Sequence, residues 1–131
     1  MTAANPGQVH VVSFGYGHGD APAAHLTLDL RHHFRDPHVR PEMRELTAVH
    51  RLVRRTVLGT PGIKALLTAT VRAIQAYDSG PSAQATVVAV GCVGGRHRSA
   101  VAADALARRL RRRGHEVTVE HRDLHRPVIA R

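Results

Sequence analysis

Nine consecutive residues, Gly91-Cys92-Val93-Gly94-Gly95-Arg96-His97-Arg98-Ser99, bring together a thiol, two adjacent glycines, two arginines and an imidazole. They follow Gln84–Gly91 (QATVVAVG), a nearly unbroken apolar run that reads as a central strand, and they open a helical pattern running from about His97 to Arg113. The first N–H groups of a helix lack internal partners, and the helix dipole places partial positive charge there. Adjacent glycines let the main chain curl so that successive N–H groups point inward, a nest suited to phosphate. Arg98 is expected to add a planar, two-pronged donor for phosphate oxygens. A plain glycine turn beside an inert cysteine would not need Arg-His-Arg straight after it, so the pattern predicts an anion site.

The same residues also admit covalent chemistry. Cys92, five residues, then Arg98 and Ser99 reproduce the Cys-x5-Arg-Ser spacing of cysteine phosphatases. In that chemistry a Cys92 thiolate would attack phosphorus, Arg98 would hold the equatorial oxygens and Ser99 would stabilise the departing thiolate. Gly91 stands where that family usually has His, and no general-acid loop is clearly signalled, with Asp36 and Asp123 as candidates. Thiol-dependent phosphatase activity is thus the alternative reading, with binding alone preferred.

Two further histidines sit on glycine- or proline-flanked loops that follow predicted strands: His18 in Gly15–Asp20 and His38 in the stretch His32–Pro41. Loops at strand carboxyl ends gather around a ligand crevice when the strands run the same way. No metal is expected, because His32 and His33 are adjacent and Cys92 has no second thiol. His10, His25, His115 and His121 fall in strands as edge or surface residues.

Strands are predicted at 8–14, 25–31, 84–91 and 115–121, and helices at 48–58, 60–78 and 97–113. Thr60-Pro61 is read as the N-cap and first-turn pair of the second helix, and Gly114 as the residue closing the third. The order is β-loop-β-α-α-β-α-β. It predicts an α/β fold, a single domain with a small, mainly parallel four-stranded sheet flanked by helices, and the strand-helix-strand unit at 84–121 implies a parallel pair. The domain is read as spanning 1–131, with 1–7 and 125–131 flexible.

The 131 residues carry 19 Lys and Arg against 10 Asp and Glu, a formal charge of +9, and every basic residue but Lys64 is Arg. A codon preference explains the choice of Arg over Lys but not the net charge, which attracts polyanions. Arg108, Arg109, Arg111, Arg112 and Arg113 crowd the end of the last helix, beyond what its dipole asks for, and make the candidate RNA-contacting face. With aromatics at 3% and no Trp, stacking platforms for single strands are excluded. The chain has neither an apolar run long enough to span a membrane nor a signal-peptide pattern at Met1–Gly7. With Cys92 as its single cysteine, a reducing, cytoplasmic setting is expected.

Over nearly its whole length the chain resembles the C-terminal domain of the RNase adaptor protein RapZ family. The resemblance rests on Ser13-Phe14-Gly15-Tyr16, Gly17-His18-Gly19, Leu28-Asp29-Leu30-Arg31, Asp36-Pro37-His38, Arg44-Glu45-Leu46-Thr47, the stretch Gly91–Ser99, and His121-Arg122-Asp123-Leu124. It implies a regulatory domain that binds an amino-sugar phosphate, glucosamine-6-phosphate, and small RNA, in a protein that self-associates. The implied pocket residues are His18, His38, Cys92, Gly94 and Arg98; the glycine loop adds Val93, Gly95, Arg96, His97 and Ser99. Val93 replaces the family's usual Thr, and the stretch His32–Arg35 is one residue longer. The phosphate-loop pattern G-x-x-x-x-G-K-[ST] does not occur, so the resemblance is to a free-standing C-terminal domain, with neither ATP binding nor any cofactor carried over.

Overall fold

The computed structural model describes residues 6–130. The fold has four strands, β1 (Gln8–Gly15), β2 (Leu26–Asp29), β3 (Thr86–Cys92) and β4 (Glu116–His121), and four helices. The helices are α1 (Pro41–Arg44), α2 (Arg51–Leu58), α3 (Ile63–Asp78) and α4 (Arg98–Arg112), and single 3-10 turns lie at Tyr16–His18 and Pro37–Val39. Strands and helices follow in the order β1-β2-α1-α2-α3-β3-α4-β4. Most of the start expected to fray, residues 1–5, lies outside the described residues. Among the described residues no helix is long and apolar enough to cross a membrane.

The strands form one sheet in the order β2-β3-β1-β4, and every neighbouring pair is parallel. Val11 lies beside Val88 on one side and Val119 on the other, and Leu28 lies beside Val90. β1 and β3 occupy the centre of the sheet and are mostly apolar and buried, apart from Gln8, His10 and Val87, which are half-buried. β2 and β4 alternate half-buried and exposed positions, as edge strands do. β3 and β4 run parallel as the 84–121 unit predicts, but β1 is inserted between them.

The main core joins Val9, Val11, Val88 and Val90 of the sheet to Ile63, Leu67, Val71 and Ile74 of α3 and Leu106 and Leu110 of α4. Burying each such side chain contributes about 1.5–3 kcal/mol. In α4 the apolar face Ala102, Ala103, Leu106 and Leu110 is buried, and so are Ala100, Val101, Ala105 and Ala107. Small side chains let α4 nest between the sheet and the other helices, and after Arg98 its arginines fall in the last turns. Its end closes with His115 N–H donating to Leu110 O and Gly114 N–H to Arg111 O, both 3.1 Å, the paired bonds of a Schellman motif.

Two helix starts differ from expectation: α2 begins at Arg51 rather than Ala48, and α3 at Ile63 rather than Thr60. Thr60 does not cap α3; its hydroxyl donates back to Thr56 O at 2.7 Å and so finishes α2. Reversing the chain between two helices needs a left-handed residue, which Gly62 supplies at φ +96°, and α3 starts at Ile63.

Candidate ligand site at the carboxyl edge of the sheet

Because all four strands point the same way, the loops after them meet at one edge. The loops after β1 and β3 interlock. Gly17 N–H donates to Val93 O at 2.9 Å, and a Cβ on Gly15 would stand 2.4 Å from the Gly94 carbonyl carbon. Gly95 adopts φ +77°, with space for a Cβ barred by Gly15 N at 2.8 Å, and its N–H donates to Cys92 Sγ at 3.3 Å. Beneath them Asp123 is fully buried and accepts from Gly15 N–H at 2.8 Å. Burial pushes its pKa up, but hydrogen bonds from Arg122 and Gly15, with the Arg122 charge, outweigh this and hold it below the usual carboxylate range. At the opposite flank Arg31 grips Asp29 through two bonds of 3.0 and 2.7 Å and stacks on Tyr16, 3.7 Å from the ring centre. The Arg31 hydrogen bond brings the Asp29 pKa down to about 2.

A small cavity opens beside this knot. It is lined by Asp36 and His38 from the loop after β2, Cys92, Gly94, Arg96 and His97 from β3 and its loop, and Val128 and Ile129 from beyond β4. The enclosed space is about 10 Å³. It adjoins an open depression of about 720 Å³ bounded by Asp36, His38, Val39, Arg44, Glu45 and residues 128–130. Arg96 reaches across the site, donating to Glu45 O at 2.7 Å and Arg126 O at 3.0 Å, while its buried Nε has no partner. His97 is held by Leu46 O, 2.7 Å from Nε2. Burial pushes its pKa down, and the Leu46 carbonyl only partly offsets that. The first hydrogen bond of α4 runs from Val101 N–H to His97 O at 3.0 Å, so the N–H groups of Arg98, Ser99 and Ala100 precede the helical ladder.

Arg98 departs from expectation. It is 2% exposed, and its guanidinium donates to Leu30 O at 2.9 Å and Arg31 O at 3.0 Å and pairs with Asp36 at 3.2 Å. Both terminal nitrogens of the guanidinium thus find partners inside the protein and brace the site, while its buried Nε has none. The phosphatase pattern loses its oxygen-holding group for the same reason. Its other feature is present: Ser99 Oγ lies 3.2 Å from Cys92 Sγ.

The structure thus brings His38, Cys92, Gly94, Arg96 and His97 onto one cavity. His18 is not on that lining; its turn lies on the Asp123 side, and its buried Nε2 has no partner. Val93 contributes its carbonyl to Gly17, and Gly95 its N–H to the Cys92 sulfur. Asp36, Val128 and Ile129 were not singled out as lining residues by spacing; only the Asp36-Pro37-His38 run pointed there.

The arginine cluster divides in two. Arg109, Arg112 and Arg113 join Arg72 of α3 around a groove of about 440 Å³ with Thr68 and Gln75 on its wall and Val71 at its base. Arg109 is steadied by Thr68 Oγ1 at 2.8 Å. Arg108 lies outside this lining, and so does Arg111, which donates to Val117 O at 3.0 Å. Thr68, Arg72 and Gln75 at i, i+4 and i+7 are the sequence signal that marks the second wall.

His121 proves to be more than an edge residue: it bridges Ser13 Oγ at 2.6 Å and Asp104 Oδ1 at 2.9 Å. This Ser-His-Asp chain has its hydroxyl fully buried, so it ties β1, β4 and α4 together rather than presenting a nucleophile. Among the described residues, no three His, Cys, Asp or Glu side chains gather as a metal-binding group.

Fold and site together define a parallel-sheet α/β domain whose chemistry-bearing side chains stand at the carboxyl edge of the strands. The chain belongs to the RapZ C-terminal domain family, whose model matches residues 7–125. A protein of Thermobifida fusca named nucleotide-binding protein is 42% identical over 122 residues, covering 91% of this chain and 41% of that relative. A nucleotide-binding protein of Desulforudis audaxviator is 38% identical over 124 residues, with 92% and 42% covered. Another, of Streptomyces coelicolor, is 38% identical over 119 residues, with 88% and 40% covered. The chain therefore spans about two fifths of the length of these relatives.

Proposed function

We propose that this chain binds and senses a phosphorylated small molecule of the amino-sugar phosphate class, which includes glucosamine-6-phosphate, and couples it to RNA binding. The observation that carries the reading is the cavity where Arg96, His38 and His97 meet Asp36 at the start of α4. Arg96 and the leading N–H groups of α4 suit a phosphate. Asp36, the acid on the enclosed lining, suits the ammonium of an amino sugar. No catalytic step belongs to this reading, since Arg98 is engaged with Asp36 and main-chain carbonyls. Family membership and the names of the relatives support a phosphorylated ligand in the coarser sense. The +9 charge and the arginine groove support the RNA component.

The test is a thermal-shift comparison of glucosamine-6-phosphate, glucose-6-phosphate, ATP and inorganic phosphate. A ligand that binds only the folded state raises the melting temperature by mass action. The amino-sugar phosphate is expected to give the largest shift, and Arg96→Gln to abolish it. Equal shifts from glucosamine-6-phosphate and free phosphate would remove the amino-sugar assignment.

A further inference from the structure

We propose that residues 126–130 are an intramolecular plug that occupies the mouth of the site and must leave before a ligand enters. This rests on the cavity being the ligand site. Val128 and Ile129 are half-buried and wall both the enclosed cavity and the depression outside it. Ile129 packs directly on the turn after β1: its Cδ1 lies 2.2 Å from where a Cβ on Gly17 would stand. The segment is anchored at its root, where Arg126 N–H donates to Asp123 O at 3.1 Å and Arg126 Nε lies 3.2 Å from Asp123 Oδ1. The Arg126 carbonyl in turn accepts from Arg96, engaging one of the groups best suited to an incoming phosphate.

Size decides between a plug and a lid that closes over its ligand. The enclosed space of about 10 Å³ is at the lower limit for one water, roughly 10–15 Å³, and far below the roughly 300 Å³ of a small-molecule pocket. While the segment is seated a phosphorylated sugar does not fit the enclosed cavity; the open depression outside has room for one but is not lined by Arg96 or His97. Release is local, because residues 127–130 belong to no helix, strand or turn and Pro127 keeps Arg126 extended. The plug lies beyond the residues that the family model matches, 7–125. Ligand and Arg126 compete for the same Arg96 donor, and apparent affinity falls by the fraction of molecules that are open.

Cys92, the single cysteine, lines the cavity beneath the plug and reports on it without any ligand. The chain, a version ending at His125 and the point variant Ile129→Ser are treated with iodoacetamide under native conditions. Alkylation of Cys92 is expected to be about tenfold faster in both altered chains, and equal rates in all three would overturn the plug. The alkylation is then repeated with inorganic phosphate and with glucosamine-6-phosphate. Protection at about tenfold lower concentration in the altered chains supports competition, whereas protection at one common concentration overturns it. Faster alkylation with no protection by either compound would uphold the plug and overturn the ligand reading instead.

Discussion

Arg98 and Asp36 form an ion pair of 3.2 Å with the guanidinium almost wholly buried. The pair joins the first turn of α4 to the loop after β2, and Asp36 in turn accepts from His38 N–H at 3.0 Å. Arg98 therefore sets the position of His38 through Asp36. It acts on the site as a brace whose two ends are a helix start and a histidine-bearing turn.

Removing one partner of a buried pair leaves the other without compensation. Arg98→Ala is expected to destabilise the fold by about 3 kcal/mol, measured as a shift in the urea midpoint. Arg98→Lys should rescue little, because an ammonium cannot span two carbonyls and a carboxylate as a planar guanidinium does. A melting curve for Arg98→Ala matching the parent would contradict the internal role and return Arg98 to the ligand.

The interlocked glycines make a separate prediction. A methyl on Gly15 meets main-chain atoms of Gly94 and Gly95 at 2.4 to 2.8 Å, and no side-chain rotation relieves this. Gly15→Ala should cost about 1–3 kcal/mol, the range for overpacking. It should also displace the loop carrying Arg96 and His97, visible as shifted amide resonances at Gly94–His97. Gly80→Ala, whose Cβ would meet only Tyr77 O at 3.3 Å, is the control.

Strands and long helices were legible because their signals are local: alternation in β2 and β4, an apolar run in β3, a stripe at 63, 67, 71 and 74 in α3. The direction of Arg98 was not. Spacing places a side chain on a helix's first turn but does not say where a long flexible arm finds its partners, and here those come from Leu30, Arg31 and Asp36, over sixty residues away. A hint was present in Ser99-Ala100-Val101-Ala102-Ala103, an apolar and small-residue run that signals a helix start buried on every side. The part played by Val128 and Ile129 was hidden because an isolated apolar pair in a polar tail has no period to read. Arg72 was hidden because a single arginine on a mostly apolar helix has no pattern of its own.

His97 carries a pH dependence. Its pKa in the fold lies below the unfolded value of about 6.5 because burial disfavours the charged ring. As pH falls past that value the unfolded chain takes up a proton before the folded one does, so this contribution to stability is full above about 6.5 and is lost on acidification down to the folded pKa. His97→Gln keeps a donor for Leu46 O but cannot titrate. Urea midpoints at neutral and mildly acid pH should fall more steeply for the parent than for His97→Gln, and parallel profiles would rule the effect out.

The groove between α3 and α4 allows the RNA reading to be tested position by position. Arg72, Arg109, Arg112 and Arg113 converge there, while Arg108 lies outside and Arg111 is turned to Val117 O. If the groove follows the phosphate backbone, Arg72→Glu on α3 should weaken binding as much as Arg112→Glu on α4, and Arg108→Glu should weaken it less. Fluorescence anisotropy with a labelled RNA and a scrambled one of equal length is the measurement. Phosphate contacts carry little sequence information, so both RNAs should lose affinity alike. Affinity of the parent should fall with salt at a log–log slope of roughly −0.7 per phosphate neutralised, and each groove substitution should flatten that slope by about one such step. Charge repulsion from any added glutamate would lower affinity at all three positions equally, so the contrast between Arg72 and Arg108 is what decides. A silent Arg72→Glu beside a damaging Arg108→Glu would move the RNA path off the groove and onto the outer face of α4.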